Sequence, residues 1–333
     1  MTTFVRPDDS RLAWPGAISL KRTSEWVAPW RLPVESLQLY PFEELHEQAE
    51  KPAGVRVTFR SNARSLICHF QPVPADSPAR LDLTARGTLL GSVALAGSDR
   101  AEFSELPPGE KLLEVWLPQN QALRLTGFEL EEGATLAPRI EERSRRWITY
   151  GSSITQCQGA DSPARTWPAL VARKANLNLT CLGFSGQCHI EPMLARLIRD
   201  QPADLISLCL GINVQGGSSL SMRTFRPAVL GFASIVRERH RSAPLALISP
   251  IYSPERESTA NAAGLTLEIM REEIRAAVEA LRGLGDEHVY YVDGLELLGE
   301  EEDHLLPDHL HPNQQGYELM AERFLEKVLP RLT

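Results

Sequence analysis

Long apolar segments are absent from this sequence of 333 residues. No run approaches the roughly 18 apolar residues that a membrane-spanning helix requires, so we expect no contact with a membrane. The first residues, MTTFVRPDDS, include an acidic pair and lack the apolar stretch of roughly 7 to 15 residues that a secretory signal needs. The sequence therefore predicts a cytoplasmic protein.

Paired cysteines and an excess of positive charge are also absent. The five cysteines are scattered and form no Cys-x-x-Cys motif, which is typical of reduced thiols rather than of a disulfide framework or a zinc site. The formal net charge is -8 at pH 7, and no dense stripe of lysine and arginine offsets it. Because such a chain repels phosphate groups, we do not expect nucleic acid as a partner.

The first part of the sequence contains short segments in which apolar and polar residues alternate. A period of two residues is typical of strands with one exposed face, and proline-rich turns such as residues 72–78 separate these segments. We interpret residues 1–138 as an antiparallel β-sandwich domain of roughly seven to nine strands with a jelly-roll-like topology. Its clearest predicted strands are 55–59, 65–70, 80–84, 112–116 and 123–125.

After Pro138 the pattern changes, because apolar strand segments now alternate with longer helical segments. This alternation favours a parallel sheet covered by helices on both faces, so we predict that residues 139–333 form a three-layer α/β/α domain with five parallel strands. The predicted strands are 147–150, 179–182, 205–210, 245–251 and 289–292. The predicted helices are 167–174, 192–198, 225–238, 267–281 and 313–329.

Four short motifs fall where such a sheet binds its ligands, beyond the carboxyl ends of the strands. The first three predicted strands lead into Gly-Ser-Ser at 151–153, Gly-Phe-Ser-Gly at 183–186 and Gly-Ile-Asn at 211–213. The fourth motif, Asp-His-Leu-His-Pro-Asn at 308–313, stands just before the last helix. Each motif is weak alone, but four at corresponding positions indicate a catalytic site.

In this order the motifs resemble the four blocks of the SGNH (GDSL-like) hydrolase family. The first block of the family usually reads Gly-Asp-Ser, whereas this chain has Gly-Ser-Ser, which leaves Ser153 as the nucleophile. The resemblance implies that Asp308 and His311 complete a catalytic triad. It also implies an oxyanion hole formed by Ser153, Gly186 and Asn213, in a flavodoxin-like domain that needs no cofactor and no metal.

The chemistry of an acyl transfer requires these residue types. A serine hydroxyl is a poor nucleophile at neutral pH, and the imidazole of His311 is the expected base that activates it. A carboxylate such as that of Asp308 fixes the tautomer of the imidazole and stabilises its cation. The backbone N–H groups of Ser153 and Gly186 and the side-chain amide of Asn213 are donors for the negative charge that develops on the carbonyl oxygen.

Simpler interpretations exist for each of these residues. Ser153 at a strand-to-helix turn is also a typical helix cap, and glycine or asparagine at positions 186 and 213 also suits a tight turn. Ser185 lies in a sequence similar to a nucleophile elbow, but that motif needs glycine where this chain has Gln187. Cys157 and Cys188 are interpreted as small buried apolar residues rather than as reactive thiols.

The last motif also allows alternatives. His309 competes with His311 as the base, and the spacing in the family favours His311. Asp303 and His304, together with the acidic and histidine residues of 308–311, resemble a set of metal ligands. No His-Glu helical motif or cysteine pair supports a metal site, so none is predicted.

Two-domain members of the family with an N-terminal β-sandwich include carbohydrate esterases, so the resemblance implies removal of a short acyl group, such as acetyl, from a sugar. The expected partner is a small-molecule or carbohydrate ester, and a homo-oligomer is compatible with the sequence. Loops at 216–221 and 253–264 are expected to line the substrate pocket. The alternatives are a lipase or thioesterase for longer acyl chains, or a catalytically silent carbohydrate-binding protein.

Overall fold

A computed structural model describes residues 2–140 and 144–332, which form two compact units. The first unit comprises the described residues up to Ser144 together with Asp161–Ala169 and Asn178–Cys181. The second unit comprises Arg145–Ala160, Leu170–Leu177 and the described residues from Leu182 onward. The predicted domain boundary between residues 138 and 139 stays a prediction.

The first unit is built from two antiparallel sheets. Its strands are β1 (Thr2–Val5), β2 (Ser19–Arg22), β3 (Val27–Trp30), β4 (Arg56–Ser61), β5 (Leu66–Phe70), β6 (Arg80–Ala85), β7 (Thr88–Ala94), β8 (Arg100–Phe103), β9 (Lys111–Trp116) and β10 (Leu125–Glu131), with helix α1 (Glu43–Glu50) between β3 and β4. The larger sheet has the order β2-β3-β10-β5-β8, with β1 also paired to β10, and the smaller sheet has the order β4-β9-β6-β7.

The alternating pattern of the sequence builds the core between these two sheets. Phe59 of β4 and Phe128 of β10 come from different sheets, and their ring centroids lie 6.0 Å apart. Both side chains belong to one cluster of buried apolar residues. The β-sandwich prediction is confirmed, and the jelly-roll-like topology stays a prediction.

The C-terminal part of the chain contains a parallel sheet of five strands in the order β12-β11-β13-β14-β15. Its strands are β11 (Arg146–Gly151), β12 (Asn178–Gly183), β13 (Leu205–Cys209), β14 (Leu245–Ile248) and β15 (Val289–Val292). The helices after β11 are α2 (Ser153–Gln156), α3 (Trp167–Lys174), α4 (Pro192–Asp200), α5 (Ile212–Gly217), α6 (Phe225–Arg237), α7 (Leu267–Gly283) and α8 (Gln314–Arg323).

Two aromatic contacts show that helical segments cover both faces of this sheet. Trp147 and Tyr150 lie three residues apart on β11, so their side chains point to opposite faces. Trp147 packs on Phe324 with ring centroids 5.1 Å apart, and Tyr150 stacks on Phe232 of α6 at the same distance. The predicted three-layer α/β/α architecture is confirmed.

The end of the chain differs from its prediction in detail. The helix predicted over 313–329 is α8 followed by a π-helical segment, Phe324–Val328, and a 3-10 segment, Leu329–Leu332. Asn313 is the N-cap of α8, and its side chain accepts a hydrogen bond from the backbone N–H of Gly316. None of the helices in the described part of the chain combines the length and apolarity needed to cross a bilayer.

Candidate active site

The turn after β11 presents two serines with different roles. Ser152 is the N-cap of α2, and its hydroxyl accepts a hydrogen bond from the backbone N–H of Ile154 over 3.2 Å. Ser153 is the first residue of α2, so its own hydroxyl is not the cap. Gly151 permits this tight turn, because a Cβ at that position would lie 2.2 Å from Oγ1 of Thr155.

The side chain of Ser153 meets a histidine that is distant in sequence. Ser153 Oγ lies 2.8 Å from His311 Nε2, and His311 Nδ1 lies 2.6 Å from Asp308 Oδ2. An ionised carboxylate can only accept hydrogen bonds, so Nδ1 carries the proton of the neutral ring and Nε2 is the acceptor. The free lone pair of the imidazole therefore faces the serine hydroxyl, the arrangement that a general base needs.

Hydrogen bonds keep the carboxylate of Asp308 ionised. Burial acts to raise the pKa of Asp308, but the hydrogen bonds and positive charge of His311 and the backbone N–H of Leu310 together hold that pKa below its ordinary value. The backbone N–H of His311 donates to Asp308 Oδ1 over 2.7 Å, and the N–H of Leu310 donates to the same oxygen over 3.1 Å. The loop thus fixes the carboxylate of Asp308 as well as the imidazole of His311.

His309 has different surroundings. Its Nδ1 lies 3.5 Å from Asp303 Oδ1, and its backbone carbonyl accepts a hydrogen bond from the Ser253 hydroxyl over 2.7 Å. The structure therefore pairs His311, and not His309, with Ser153. Within the described ranges, no three histidine, cysteine or acidic side chains are arranged to hold a metal ion.

The two remaining predicted residues lie on the loop after β12 and at the start of α5. Gly186 has φ +72 and open space where a Cβ would be. Oδ1 of Asn213 accepts a hydrogen bond from the backbone N–H of Cys188 over 3.0 Å. This hydrogen bond fixes the orientation of the amide group, so that the Nδ2 donors point away from Cys188. The Gly186 loop is also held by Gln156, whose Oε1 accepts from the N–H of Ser185 over 2.9 Å.

Family models match both parts of the chain. A model described as the GDSL-like lipase/acylhydrolase family matches residues 144–329, and a model described as the N-terminal domain of SsfX3 matches residues 12–125. The chain belongs to the GDSL-like lipase/acylhydrolase family. This confirms the family predicted from the four motifs and makes the protein an acyl ester hydrolase or transferase.

Solved structures are similar over the whole length of this GDSL-like chain. The salicylyl-acyltransferase SsfX3 from a tetracycline biosynthetic pathway is 36% identical, with a TM-score of 0.90 over 99% of this chain and 97% of that chain. A family two carbohydrate esterase from Clostridium thermocellum is 15% identical, with a TM-score of 0.67 over 96% and 99% of the two chains. At that identity the similarity shows the fold alone. A comparison with curated proteins gave no match.

A small apolar cavity of about 30 Å³ in this GDSL-like enzyme is lined by Ser152 and Ile154, the two sequence neighbours of Ser153, but not by Ser153 itself. Ile154, which follows Ser153, lines it on one side, and Ile212, which precedes Asn213, lines it on another. Further lining residues follow β14 or stand later in the chain, among them Pro250, Ile251, Leu297 and Met320. The cavity therefore adjoins two of the four family motifs.

The loops predicted to line the substrate pocket do not contribute to this cavity. Instead, the loop at 253–264 contacts two site segments, because Ser253 donates to the carbonyl of His309 and the side chain of Asn261 donates to the carbonyl of Gln215 in α5 over 2.9 Å. The loop at 216–221 contains Ser219, whose hydroxyl lies 2.8 Å from His189 Nδ1. Cys157 and Cys188 are buried, and burial raises the pKa of the Cys188 thiol far above its ordinary value. This agrees with the interpretation of Cys188 as an unreactive residue.

Several polar residues near the site were not predicted. Tyr150 donates a hydrogen bond to Glu191 Oε2 over 3.4 Å, and burial raises the pKa of that carboxyl group above its ordinary value. His189 contacts the Gly186 loop through a hydrogen bond to the carbonyl of Gly186. His189 and Glu191 carry no motif in sequence, and only their distance from Gly186, three and five residues, points to them.

Proposed function

We propose that the protein is a serine esterase that hydrolyses short-chain acyl esters through an acyl-enzyme on Ser153. The observation that carries this proposal is the continuous chain from the Ser153 hydroxyl through His311 to Asp308, with distances of 2.8 and 2.6 Å. Such a chain makes the serine nucleophilic at neutral pH without a metal or cofactor.

The first half of the proposed reaction forms the acyl-enzyme. His311 Nε2 removes the proton from Ser153 Oγ while Oγ attacks the ester carbonyl carbon. The tetrahedral intermediate carries its negative charge on the former carbonyl oxygen, which receives hydrogen bonds from the backbone N–H groups of Ser153 and Gly186 and from the Asn213 amide. Asp308 stabilises the imidazolium, which then donates its proton to the leaving alcohol oxygen as the C–O bond breaks.

The second half releases the acid. A water molecule replaces the alcohol and His311 Nε2 removes its proton, so that the hydroxide oxygen attacks the acyl carbon. The proton returns to Ser153 Oγ when the serine ester bond breaks, and the carboxylic acid leaves. No group other than the five residues of the triad and the oxyanion hole is required to balance protons and charge.

The small cavity supports a short acyl group. A water molecule needs roughly 10 to 15 Å³ of such volume, so a cavity of about 30 Å³ suits an acyl tail of two or three carbons rather than a fatty acyl chain. For the alcohol part we propose a carbohydrate, as expected from the two-domain resemblance. An acetyl xylan esterase from Butyrivibrio proteoclasticus has a similar fold, with a TM-score of 0.61 at 12% identity.

Acyl transfer is a second candidate, and the 36% identity to a salicylyl-acyltransferase over 99% of this chain favours it. Both reactions share the acyl-enzyme and differ in what attacks it, either water or an acceptor hydroxyl or amine. Turnover of p-nitrophenyl acetate in the presence of increasing alcohol distinguishes them. A transferase gives an acetylated alcohol and faster nitrophenol release, whereas a hydrolase gives acetate at an unchanged rate.

The test of the proposed function is the rate of p-nitrophenyl acetate cleavage by the wild-type protein and by Ser153→Ala. We expect the substitution to reduce kcat at least roughly a thousandfold, because it removes the nucleophile and leaves only binding and the oxyanion donors. Ser242→Ala is the control, since it is the same change at an exposed serine shortly before β14, outside the site. Equal rates for the wild-type protein and Ser153→Ala would rule the proposal out.

A further inference from the structure

Both ring nitrogens of His189 hold a hydrogen-bond partner. Nε2 lies 3.0 Å from the carbonyl oxygen of Gly186, and Nδ1 lies 2.8 Å from the hydroxyl of Ser219. Because a carbonyl oxygen can only accept, Nε2 carries the proton of the neutral ring, and the Ser219 hydroxyl donates to Nδ1. The half-buried ring thus links two segments that stand 33 residues apart in sequence at Gly186 and Ser219.

These two segments carry the predicted side-chain and backbone donors of the oxyanion hole. One segment contains Gly186. The other is the end of α5, whose first turn contains Asn213. The ring of His189 rests on this helix end, because a Cβ added at Gly217 would lie 3.0 Å from Cε1 of the histidine. The absence of a side chain at Gly217 therefore leaves the space that the ring occupies.

The backbone around His189 is held as firmly as its ring. The N–H of Cys188 donates to Asn213 Oδ1 over 3.0 Å, and the N–H of His189 donates to Glu191 Oε2 over 3.3 Å. The next residue, Ile190, is buried and has φ +65, a left-handed conformation that a β-branched residue rarely adopts. Surrounding contacts must impose such a conformation, and strained residues of this kind cluster at functional sites.

Gly186 needs an external support of this kind. With no Cβ and open space around it, the residue can rotate between conformations more freely than any other type. Its N–H reaches a fixed point in space only if the neighbouring peptide is anchored. The hydrogen bond from His189 Nε2 to the Gly186 carbonyl supplies that anchor, and the Ser219 bond fixes the ring that makes it.

We infer that His189 is a positioning residue that holds Gly186 and the Asn213 helix together, so that both donors point at the oxyanion. This inference rests on the proposed function, since it assumes that Gly186 and Asn213 stabilise a tetrahedral intermediate. His189 does not touch the reacting atoms in this role. It acts through the two donors, and its loss therefore slows the chemical step without weakening substrate binding.

The test compares three substitutions of His189 in p-nitrophenyl acetate hydrolysis. His189→Ala removes both hydrogen bonds. His189→Gln places an amide N–H near the former Nε2 and keeps a donor for Gly186, whereas His189→Asn is too short to reach it. We expect His189→Ala and His189→Asn to lower kcat on the order of 10- to 100-fold with KM unchanged within about threefold, and His189→Gln to recover most of the lost rate.

Ser219→Ala is the matched control within the same network, because it removes only the support of the ring and should lower kcat by less than about tenfold. If His189→Ala does not fold, as judged by its thermal transition, the test is the comparison of kcat for His189→Gln with kcat for His189→Asn. The inference would be overturned if His189→Ala had the wild-type kcat, or if His189→Gln and His189→Asn lost the same fraction of kcat. A change confined to KM would also overturn it.

These outcomes are separable from a failure of the proposed function. If wild-type protein and Ser153→Ala have equal rates, the function itself is wrong, whatever His189 does. If Ser153→Ala is inactive while His189→Ala, Gln and Asn all match the wild-type protein, the function stands and only the positioning role of His189 is wrong.

Discussion

At the level of single residues, Ser152 shows how a change within a family motif is accommodated. The family usually has aspartate before its nucleophile, and aspartate and serine are both strong N-cap residues. The Ser152 hydroxyl accepts the N–H of Ile154, so the cap of α2 is retained with a shorter and neutral side chain. Ser153 is then presented at the first position of the helix, where it contacts His311.

The assignment of His311 as the general base can be tested by single substitutions. His311→Ala should reduce kcat for p-nitrophenyl acetate on the order of a thousandfold, because no other group accepts the proton of Ser153 Oγ in this arrangement. His309→Ala is the control and should keep at least about a tenth of wild-type kcat, since its ring faces Asp303. The opposite pattern would exchange the two roles.

At the level of secondary-structure elements, the turn between β11 and α2 depends on close packing at Gly151. Gly151→Ala should destabilise the protein by about 1 to 3 kcal/mol, because its Cβ would overlap the side chain of Thr155. Gly231→Ala is the control, because this exposed glycine within α6 has open space around it. Alanine there should raise the free energy of unfolding by about 0.5 to 1 kcal/mol. Urea unfolding measures both, and equal effects would contradict the turn geometry.

A pH-dependent ion pair joins the beginning of β11 to the residue before β13. The guanidinium of Arg146 on β11 donates to both carboxylate oxygens of Asp204, just before β13, and this holds the pKa of Asp204 at about 2, below its ordinary value. Because the folded-state pKa is depressed, the stabilisation is complete above the unfolded pKa and is lost as the pH falls through about 2.

Asp204→Asn should therefore lower Tm at pH 7, and the difference from the wild-type protein should shrink as the pH falls below about 4 and vanish near pH 2. Asp161→Asn is the control, because its pair with Arg165 is comparably exposed but joins residues four positions apart, whereas Arg146 binds both carboxylate oxygens of Asp204. Thermal unfolding at several pH values checks this. A Tm difference for Asp204→Asn that grows toward low pH would contradict the assigned link.

In the first unit, longer strands with many strand-forming residues were predictable. β4 alternates apolar and polar residues and β9 is rich in apolar residues, and both were predicted. β8 also alternates, but it has only four residues and was missed. β7 was missed because its central residues are all half-buried, so no face stands out in the sequence. The predicted strand 123–125 reaches only the first residue of β10, since Gly127 and the bulge before it interrupt the alternation.

In the site, too, a local contact was predictable and a long-range contact was not. Asp308 and His311 meet within one loop, so their spacing in sequence was sufficient to pair them. The contact of His189 with Ser219 joins residues 30 positions apart, and it exists only because the loops after β12 and β13 fold against each other. No local pattern encodes such a contact, so His189 was indicated only by its position three residues after Gly186.

At the level of the whole molecule, the proposed preference for short acyl groups depends on the cavity that Ile154 and Ile212 line. Ile212→Ala should enlarge this cavity and shift the ratio of kcat/KM for p-nitrophenyl butyrate to that for the acetate upward by roughly 10-fold or more, as expected for one or two added methylene groups in an apolar pocket. Ile235→Ala on α6 is the control, since it is the same change at a half-buried residue outside the cavity lining.

The measurement is a series of p-nitrophenyl esters from acetate to octanoate. The wild-type protein should prefer acetate, and its rate should fall as the chain lengthens. A wild-type preference for octanoate, or the same ratio in Ile212→Ala and Ile235→Ala, would show that the acyl group binds elsewhere. The first result would favour the lipase or thioesterase alternative.

The central claim, that Ser153 is a nucleophile activated by His311, is tested most directly by covalent labelling with a fluorophosphonate probe. Mass spectrometry of the digested protein should find one adduct, on the peptide that contains Ser153. The adduct should be absent in Ser153→Ala and should form far more slowly in His311→Ala. Labelling of the Ser153→Ala variant at the wild-type rate, or an adduct on another serine, would contradict the account.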